Sequence, residues 1–297
     1  MKKKILKYGI LCLGCVGMGI AVYHALAVGG EKGAGASPEI IFENEFIEAS
    51  IEDPDDVLLS GVRAVDEEDG DISDKIVIDN IIKNENGEFT VSYAVFDSED
   101  NLASASRTLR YTDYQPPKIE IHKPLEFKLI QNSSLSDYIT ATDCIDGDIT
   151  GLVHITGLDE TEVTAGDYEC TLSVTNHLGD TRQIPVTVTF TDEGTESTER
   201  KLFLRTYVIY LENGEEFIPD DYLDYVYDGG EKAIDFGYSK YIEQNSENSA
   251  AWVSIDNISC QTNLNNTKPG IYQAVYTYIP EGTEEEVQAK LLIIVEE

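Results

Sequence analysis

Asp66-Glu67-Glu68-Asp69-Gly70-Asp71-Ile72-Ser73 is matched further along the chain by Asp143-Cys144-Ile145-Asp146-Gly147-Asp148-Ile149-Thr150. The two stretches begin 77 residues apart, and a second pair of markers, Gly87-Glu88-Phe89 and Gly166-Asp167-Tyr168, is offset by 79. Two copies therefore run in parallel with a two-residue insertion between markers. A repeat of that length suits one small β-sandwich.

Hydrophobic alternation supports this reading. Phe89-Thr90-Val91-Ser92-Tyr93-Ala94-Val95 and Tyr168-Glu169-Cys170-Thr171-Leu172-Ser173-Val174 alternate with period two, as the half-buried face of a strand requires. Turn residues follow at Asp97 to Asn101 and Asn176 to Asp180, and Arg107 to Tyr111 and Ile184 to Phe190 read as closing strands. The last hundred residues repeat only the second half of the pattern. Lys268-Pro269-Gly270-Ile271-Tyr272 has the same Gly-x-aromatic start, and Lys290 to Val295 closes it. Tyr207 to Tyr210 and the turn Asn213-Gly214 open this third copy. Its middle, Asp228 to Asn248, replaces the acidic hexapeptide and reads as a long loop or short helix.

The expected architecture is all-β: three tandem immunoglobulin-like β-sandwich modules after an N-terminal transmembrane or signal helix. The expected divisions are 1–30, signal anchor or signal peptide; 31–37, flexible linker; 38–113, module 1; 114–193, module 2; 194–200, linker; and 201–297, divergent module 3. Pro116-Pro117 at the first junction disfavours helix and limits bending.

Asp-x-x-Asp-Gly-Asp-Ile-Ser/Thr, followed by Gly-x-aromatic, an Asp or Asn turn and a closing strand, resembles the bacterial immunoglobulin-like repeat family of Gram-positive surface proteins. The same type occurs in the C-terminal part of some pesticidal crystal proteins. The resemblance covers 38–192 well and 201–297 only in its second half, and it departs from the family at Asn176-His177-Leu178-Gly179-Asp180. It implies non-catalytic modules that extend or decorate secreted and surface proteins.

Charge and targeting signals agree with export. Of 56 acids and 21 bases, residues 1–37 hold one acid and five lysines, which leaves 55 acids against 16 bases, a net charge of −39, on residues 38–297. Such a surface repels phosphate backbones and excludes nucleic acid as a partner of the folded part. Lys2 to Lys7 precede a 21-residue stretch, Tyr8 to Val28, without a formally charged side chain, which is long enough to cross a bilayer at about 20 residues. The positive end stays in the cytoplasm, which places the bulk outside. Ala25-Leu26-Ala27 equally fits signal-peptidase cleavage after Ala27, and a lipoprotein signal at Cys15 is a weaker third reading. The expected location is the extracellular face of the cell membrane, tethered by this helix or released after cleavage. Cys144, Cys170 and Cys260 form neither a disulfide framework nor a zinc motif, and Cys170 reads as a core hydrophobe in the place of Val91.

Two clusters are candidate sites. Asp66, Asp69, Asp71 and their counterparts Asp143, Asp146, Asp148 could ligate calcium, which takes about six to eight oxygens. The competing reading is a turn: Asp69 caps it, Gly70 takes a positive φ, Asp71 satisfies exposed amides and Ile72 plugs the core. The turn is preferred, because the second copy puts Cys144 and Ile145 where the first has Glu67 and Glu68, losing possible ligands but keeping Asp-Gly-Asp-Ile. No cofactor is expected, calcium being the one alternative. Tyr222, Tyr225, Tyr227, Tyr238, Tyr241 and Trp252 in module 3 form the candidate contact surface for a protein or glycan partner. No hydrolase signature surrounds His122, His154 or His177. The functional expectation is a stalk or adhesion-type interaction protein. A calcium-stiffened adhesin is the first alternative, and glycan binding or hydrolysis by module 3 is the second.

Overall fold

The computed structural model describes residues 37–129, 133–158, 163–192, 200–228, 231–235, 258–280 and 282–296. The expected anchor or signal segment lies outside them. Among the described residues no helix is long and apolar enough to cross a membrane.

The described part is all-β, with one single-turn helix, α1 (Asp55–Leu58), and a few 3-10 turns. The strands fall into three groups of seven. The first is β1 (Glu39–Phe42), β2 (Phe46–Ala49), β3 (Val62–Asp66), β4 (Gly70–Asp71), β5 (Val77–Lys83), β6 (Phe89–Phe96) and β7 (Leu102–Tyr111). The second is β8 (Lys118–Ile121), β9 (Glu126–Lys128), β10 (Ile139–Asp143), β11 (Gly147–Asp148), β12 (His154–Thr156), β13 (Gly166–Thr175) and β14 (Thr181–Thr191). The third is β15 (Lys201–Leu204), β16 (Val208–Leu211), β17 (Leu223–Asp228), β18 (Glu231–Asp235), β19 (Ile258–Thr262), β20 (Gly270–Tyr278) and β21 (Val287–Val295).

One pairing scheme recurs in all three groups. In the first, β1-β3-β4 and β2-β7-β6-β5 form separate sheets; the second gives β8-β10-β11 and β9-β14-β13-β12, and the third β15-β17-β18 and β16-β21-β20-β19. The first strand of each group pairs antiparallel with the third, as Glu39 does with Val65. The chain then changes sheets, and the second strand pairs parallel with the last: Phe46 with Thr108, Glu126 with Thr189 and Val208 with Leu292.

Alternation supplies the cores between the sheets. Phe89, Val91, Tyr93 and Val95 are buried while Thr90 and Ser92 are not, so every second side chain of β6 enters the core. The corresponding side chains of β13 are Cys170, Leu172 and Val174, also buried, and Cys170 is a free thiol acting as a small hydrophobe. In the third group Ala274, Tyr276, Leu291 and Ile293 do the same.

By compactness the described residues form two bodies. One comprises those up to Pro116 with Cys144–Asp146 and Thr175–Thr181, and the other comprises the described residues of Pro117–Asp143, Gly147–Val174 and from Arg182 onward. In the first body Tyr93 donates to the Leu58 carbonyl at 2.6 Å, and Arg107 donates to the same carbonyl at 2.9 Å and to that of Ser60 at 2.8 Å. This buried guanidinium, which also faces the rings of Phe42 and Tyr93, holds the turn after α1 against the sheet. Leu178 is buried in the same core.

The second body joins two sheet pairs through a common core. Val208 and Ile294 of the third strand group pack in one cluster with Ile119, Ile139, Leu172 and Ile184 of the second. Tyr210 Oη accepts from the Ile119 N–H at 2.7 Å and donates to its carbonyl at 3.0 Å, while Arg182 and Lys118 face its ring. Burial pushes the Tyr210 phenol up to about 12, so it stays a neutral donor and acceptor at any physiological pH.

One expectation about the strands changes. Within the Asp228 to Asn248 stretch, read as a loop or short helix, Glu231–Asp235 is a strand whose Glu231 pairs with Asp228, because Lys232 and Ile234 can extend the β17 ladder. The rest of that stretch lies outside the described residues. The Asn176 to Asp180 departure preserves the turn: Asn176 Oδ1 accepts from Leu178 N and Asp180 N, as Asp97 Oδ1 accepts from Glu99 N and Asn101 N.

Ile72 and Ile149 hold equivalent places at the end of the acidic loops, at 2% and 4% exposure. Replacing either by alanine is expected to cost about 2–5 kcal/mol of unfolding free energy, read as a lower urea midpoint with an unchanged slope.

Candidate functional site

The acidic loops are built for internal hydrogen bonding. In the first, Asp66 Oδ1 accepts from Glu68 N and Asp69 N, both at 2.9 Å, closing the turn between β3 and β4. Gly70 follows with φ of 77°, where a side chain would be strained. Asp71 accepts from Ser73 N at 3.1 Å and Ser73 Oγ at 2.6 Å. The Ser73 hydroxyl oxygen in turn accepts from Ala64 N at 3.0 Å, and Ile72 N donates to the Ala64 carbonyl.

Asp69 differs from its expected role. Asp66, not Asp69, caps the turn, because only its carboxylate faces back onto the two free amides. Asp69 instead reaches the next hairpin, accepting from Ser98 N at 2.6 Å and Ser98 Oγ at 2.7 Å, with Lys75 at 3.5 Å.

The second loop repeats the arrangement. Asp146 accepts from His177 N at 2.8 Å and pairs with His177 Nδ1. Asp148 accepts from Thr150 N at 2.9 Å, and the Thr150 hydroxyl oxygen accepts from Ala141 N at 2.9 Å. Gly147 has φ of 71°, and Asp143 is buried. Each loop thus staples its strand pair to the neighbouring hairpin turn. Among the described residues no three His, Cys, Asp or Glu side chains gather to hold a metal ion.

The aromatic cluster is dispersed. Tyr222 stacks on Phe217 at 5.5 Å and packs on the core. Tyr225 stacks on Phe203 at 4.5 Å, 15° from parallel, beside a hollow of about 310 Å³ that also meets His122, Lys123 and Tyr138. Tyr227 is half-buried opposite Lys201 on the β15–β17 ladder. Tyr238, Tyr241 and Trp252 lie outside the described residues.

A cleft of about 750 Å³ lies in the second body. One wall is the outer face of β13 and β14, with Asp167, Glu169, Thr187 and Thr189. The other wall is formed by Lys201 and Phe203 of β15, Tyr272 and Gln273 of β20, and Gln288 and Lys290 of β21. Its polar groups are held in pairs. Thr189 donates to Asp167 at 2.7 Å, Thr187 to Glu169 at 3.0 Å and Arg200 to Glu285 at 2.6 Å, and Lys201 pairs with Glu126. Gln273 N donates to Asn263 Oδ1 at 2.8 Å, and Tyr272 Oη donates to the Lys268 carbonyl at 2.9 Å. Such a surface offers oriented acceptors and donors on strands, with the apolar Ile271 and Phe203 between them. None of these residues was among the sequence candidates. The available signal was Glu169 standing where the first copy has Thr90, an acid at an outward strand position.

Hydrogen bonds from Ser98, from Ser73 and from Thr150 hold the carboxyls of Asp69, Asp71 and Asp148 below the ordinary carboxylate range. The folded chain therefore binds fewer protons than the unfolded one, and the stability these groups contribute is present above about pH 4 and lost below it. The melting midpoint is expected to fall steeply below that pH, and the combined Asp69→Asn and Asp71→Asn changes to flatten the fall. Because these carboxylates are already occupied, excess calcium is expected to leave the midpoint at neutral pH unchanged in a thermal melt against chelator.

No family model matches the chain. A pesticidal crystal protein of Bacillus thuringiensis, Cry22Aa, is 30% identical over 125 residues, which is 40% of this chain, and the chain spans 17% of that protein's length. Among solved structures, the chain is similar to the CBM51-2 and INT domains of Clostridium perfringens ZmpB in complex with GlcNAc, with 17% identity, 53% of this chain and 42% of that one covered, and a TM-score of 0.21. For Drosophila N-cadherin EC1-4 the identity is 12%, the coverage 90% and 77%, and the TM-score 0.20.

Proposed function

We propose that this is a non-catalytic, exported binding protein of three immunoglobulin-like sandwiches, belonging with the bacterial surface-protein repeats, which holds a glycan in the cleft of the second body. The modules correspond to the three seven-strand groups. The N-terminal segment tethers them to the outer face of the membrane, or releases them after cleavage following Ala27.

The observation that carries the reading is the cleft's chemistry. Its volume falls within the roughly 300–1,000 Å³ of small-ligand sites, and hydrogen-bonded carboxylates and amides on opposite walls suit the paired hydroxyls of a sugar. The walls are strands of one body with a common core, so little ordering entropy is lost on binding. The acidic loops, by contrast, have their carboxylates engaged internally, which favours spacing and rigidity over calcium-dependent adhesion. Module 3 takes part through its β15, β20 and β21 residues.

The test is a glycan array probed with the exported part, followed by titration of any glycan retained. Asp167→Ala and Gln273→Ala are each expected to weaken binding by about tenfold, the loss of one or two hydrogen bonds. A wild-type protein that retains no glycan, or one whose binding ignores both changes, sinks the proposal.

A further inference from the structure

In a chain with 56 acids, the outer face of the β2-β7-β6-β5 sheet is uncharged across its centre. Side chains alternate along these strands, so the neighbours of buried Val91, Tyr93, Val95 and Leu109 point outward. Four large apolar residues lie open there: Phe46 at 60% exposure, Val77 at 56%, Phe96 at 45% and Ile82 at 43%. Between them the cross-strand partners are small, Ser92 facing Ser106 and the closely covered Ala94 facing Ser104. Charges stand at the border. Arg110 bridges Glu48 and Glu88 at one end, and Asp79 is the extra residue of a bulge in the edge strand β5. The fold does not require this bareness, since the equivalent face of β13 and β14 carries Asp167 and Glu169.

We propose that this face is where two copies of the chain meet, front to front about a two-fold axis. Two molecules of net charge −35 repel wherever their ordinary surfaces approach. An uncharged, apolar-studded face that is its own complement removes that repulsion at the contact and buries Phe46, Val77, Ile82 and Phe96. Four strands about 4.8 Å apart, with some seven outward-and-inward positions at about 3.4 Å each, give a projected area of roughly 450 Å² per copy. This is the small end of specific interfaces, so the dimer is reversible and concentration-dependent. Salt strengthens it, because screening weakens the repulsion of the remaining surface while leaving the apolar contact intact.

The experiment is sedimentation equilibrium of residues 37–297, the segment holding all six sheets and their cores, over a range of concentrations at low and high salt. The expected result is a monomer–dimer equilibrium whose dissociation constant falls as salt rises. Ser106→Glu, which sets like charges against each other across the axis, is expected to raise that constant by about tenfold or more, and Phe46→Ser to raise it without adding charge. Both are to keep the wild-type melting midpoint, and Ser259→Glu on β19 is to leave the equilibrium unchanged. A monomer at every concentration and both salts overturns the proposal, as does a dimer indifferent to Ser106→Glu and Phe46→Ser. A monomer that co-sediments with insoluble polysaccharide, and loses this through Ser106→Glu, would assign the face to a glycan and overturn it equally.

Discussion

A carboxylate that leaves its own loop to hold a neighbouring turn is the interaction on which the first two strand groups depend. Asp69 ties the β3–β4 hairpin to Ser98, and Asp146 ties the matching hairpin to His177. The two-residue strand β4 has little ladder of its own, so this bridge adds to the Asp66 cap and the Ile72 N–Ala64 carbonyl bond in holding the loop. The aspartates of the motif divide the work: one closes the turn, one reaches the next hairpin, and one fixes the Ser or Thr that returns to the first strand. The acidic loops are therefore compatible with a compact fold, because hydrogen-bond donors face Asp66, Asp69, Asp71, Asp146 and Asp148.

The third strand group solves the same problem differently. It has the same pairing scheme without the acidic motif, and its stability is bound up with the second group through Val208, Ile294, Tyr207 and Tyr210. Tyr207 N donates to the Ile121 carbonyl at 2.9 Å, so backbone as well as side chains crosses between the two groups, and Leu292 N donates to the Tyr207 carbonyl at 3.0 Å within the third. A loop staple has been exchanged for a shared core.

The strands are legible in the sequence wherever alternation is clean. Phe89 to Val95 and Tyr168 to Val174 lie within β6 and β13, and Lys290 to Val295 within β21. Local chemistry is legible too: the positive φ at Gly70 and Gly147 and the buried Ile72 follow from neighbouring residues. What depends on distant partners is not. The role of Asp69 stays hidden because its donors lie 29 residues downstream, and the strand Glu231–Asp235 because a segment next to Gly229-Gly230 has no alternation long enough to register. The cleft is hidden for the same reason. Asp167 and Lys201 belong to different strand groups, and only the packing of the second body brings both to one concavity.

The parallel pairing of the second and last strands has a mechanical meaning. Tension applied at the ends of a seven-strand group enters through β1, passes into β2 and leaves through β7, so it pulls β2 and β7, two parallel neighbours, in opposite directions along their length. Every hydrogen bond of that ladder is then loaded together in shear, whereas an antiparallel hairpin opened from its end gives way one rung at a time. The same geometry is present at β9 with β14 and at β16 with β21. A chain held at one end and drawn from the other would thus meet three such clasps in series, each resisting as a unit.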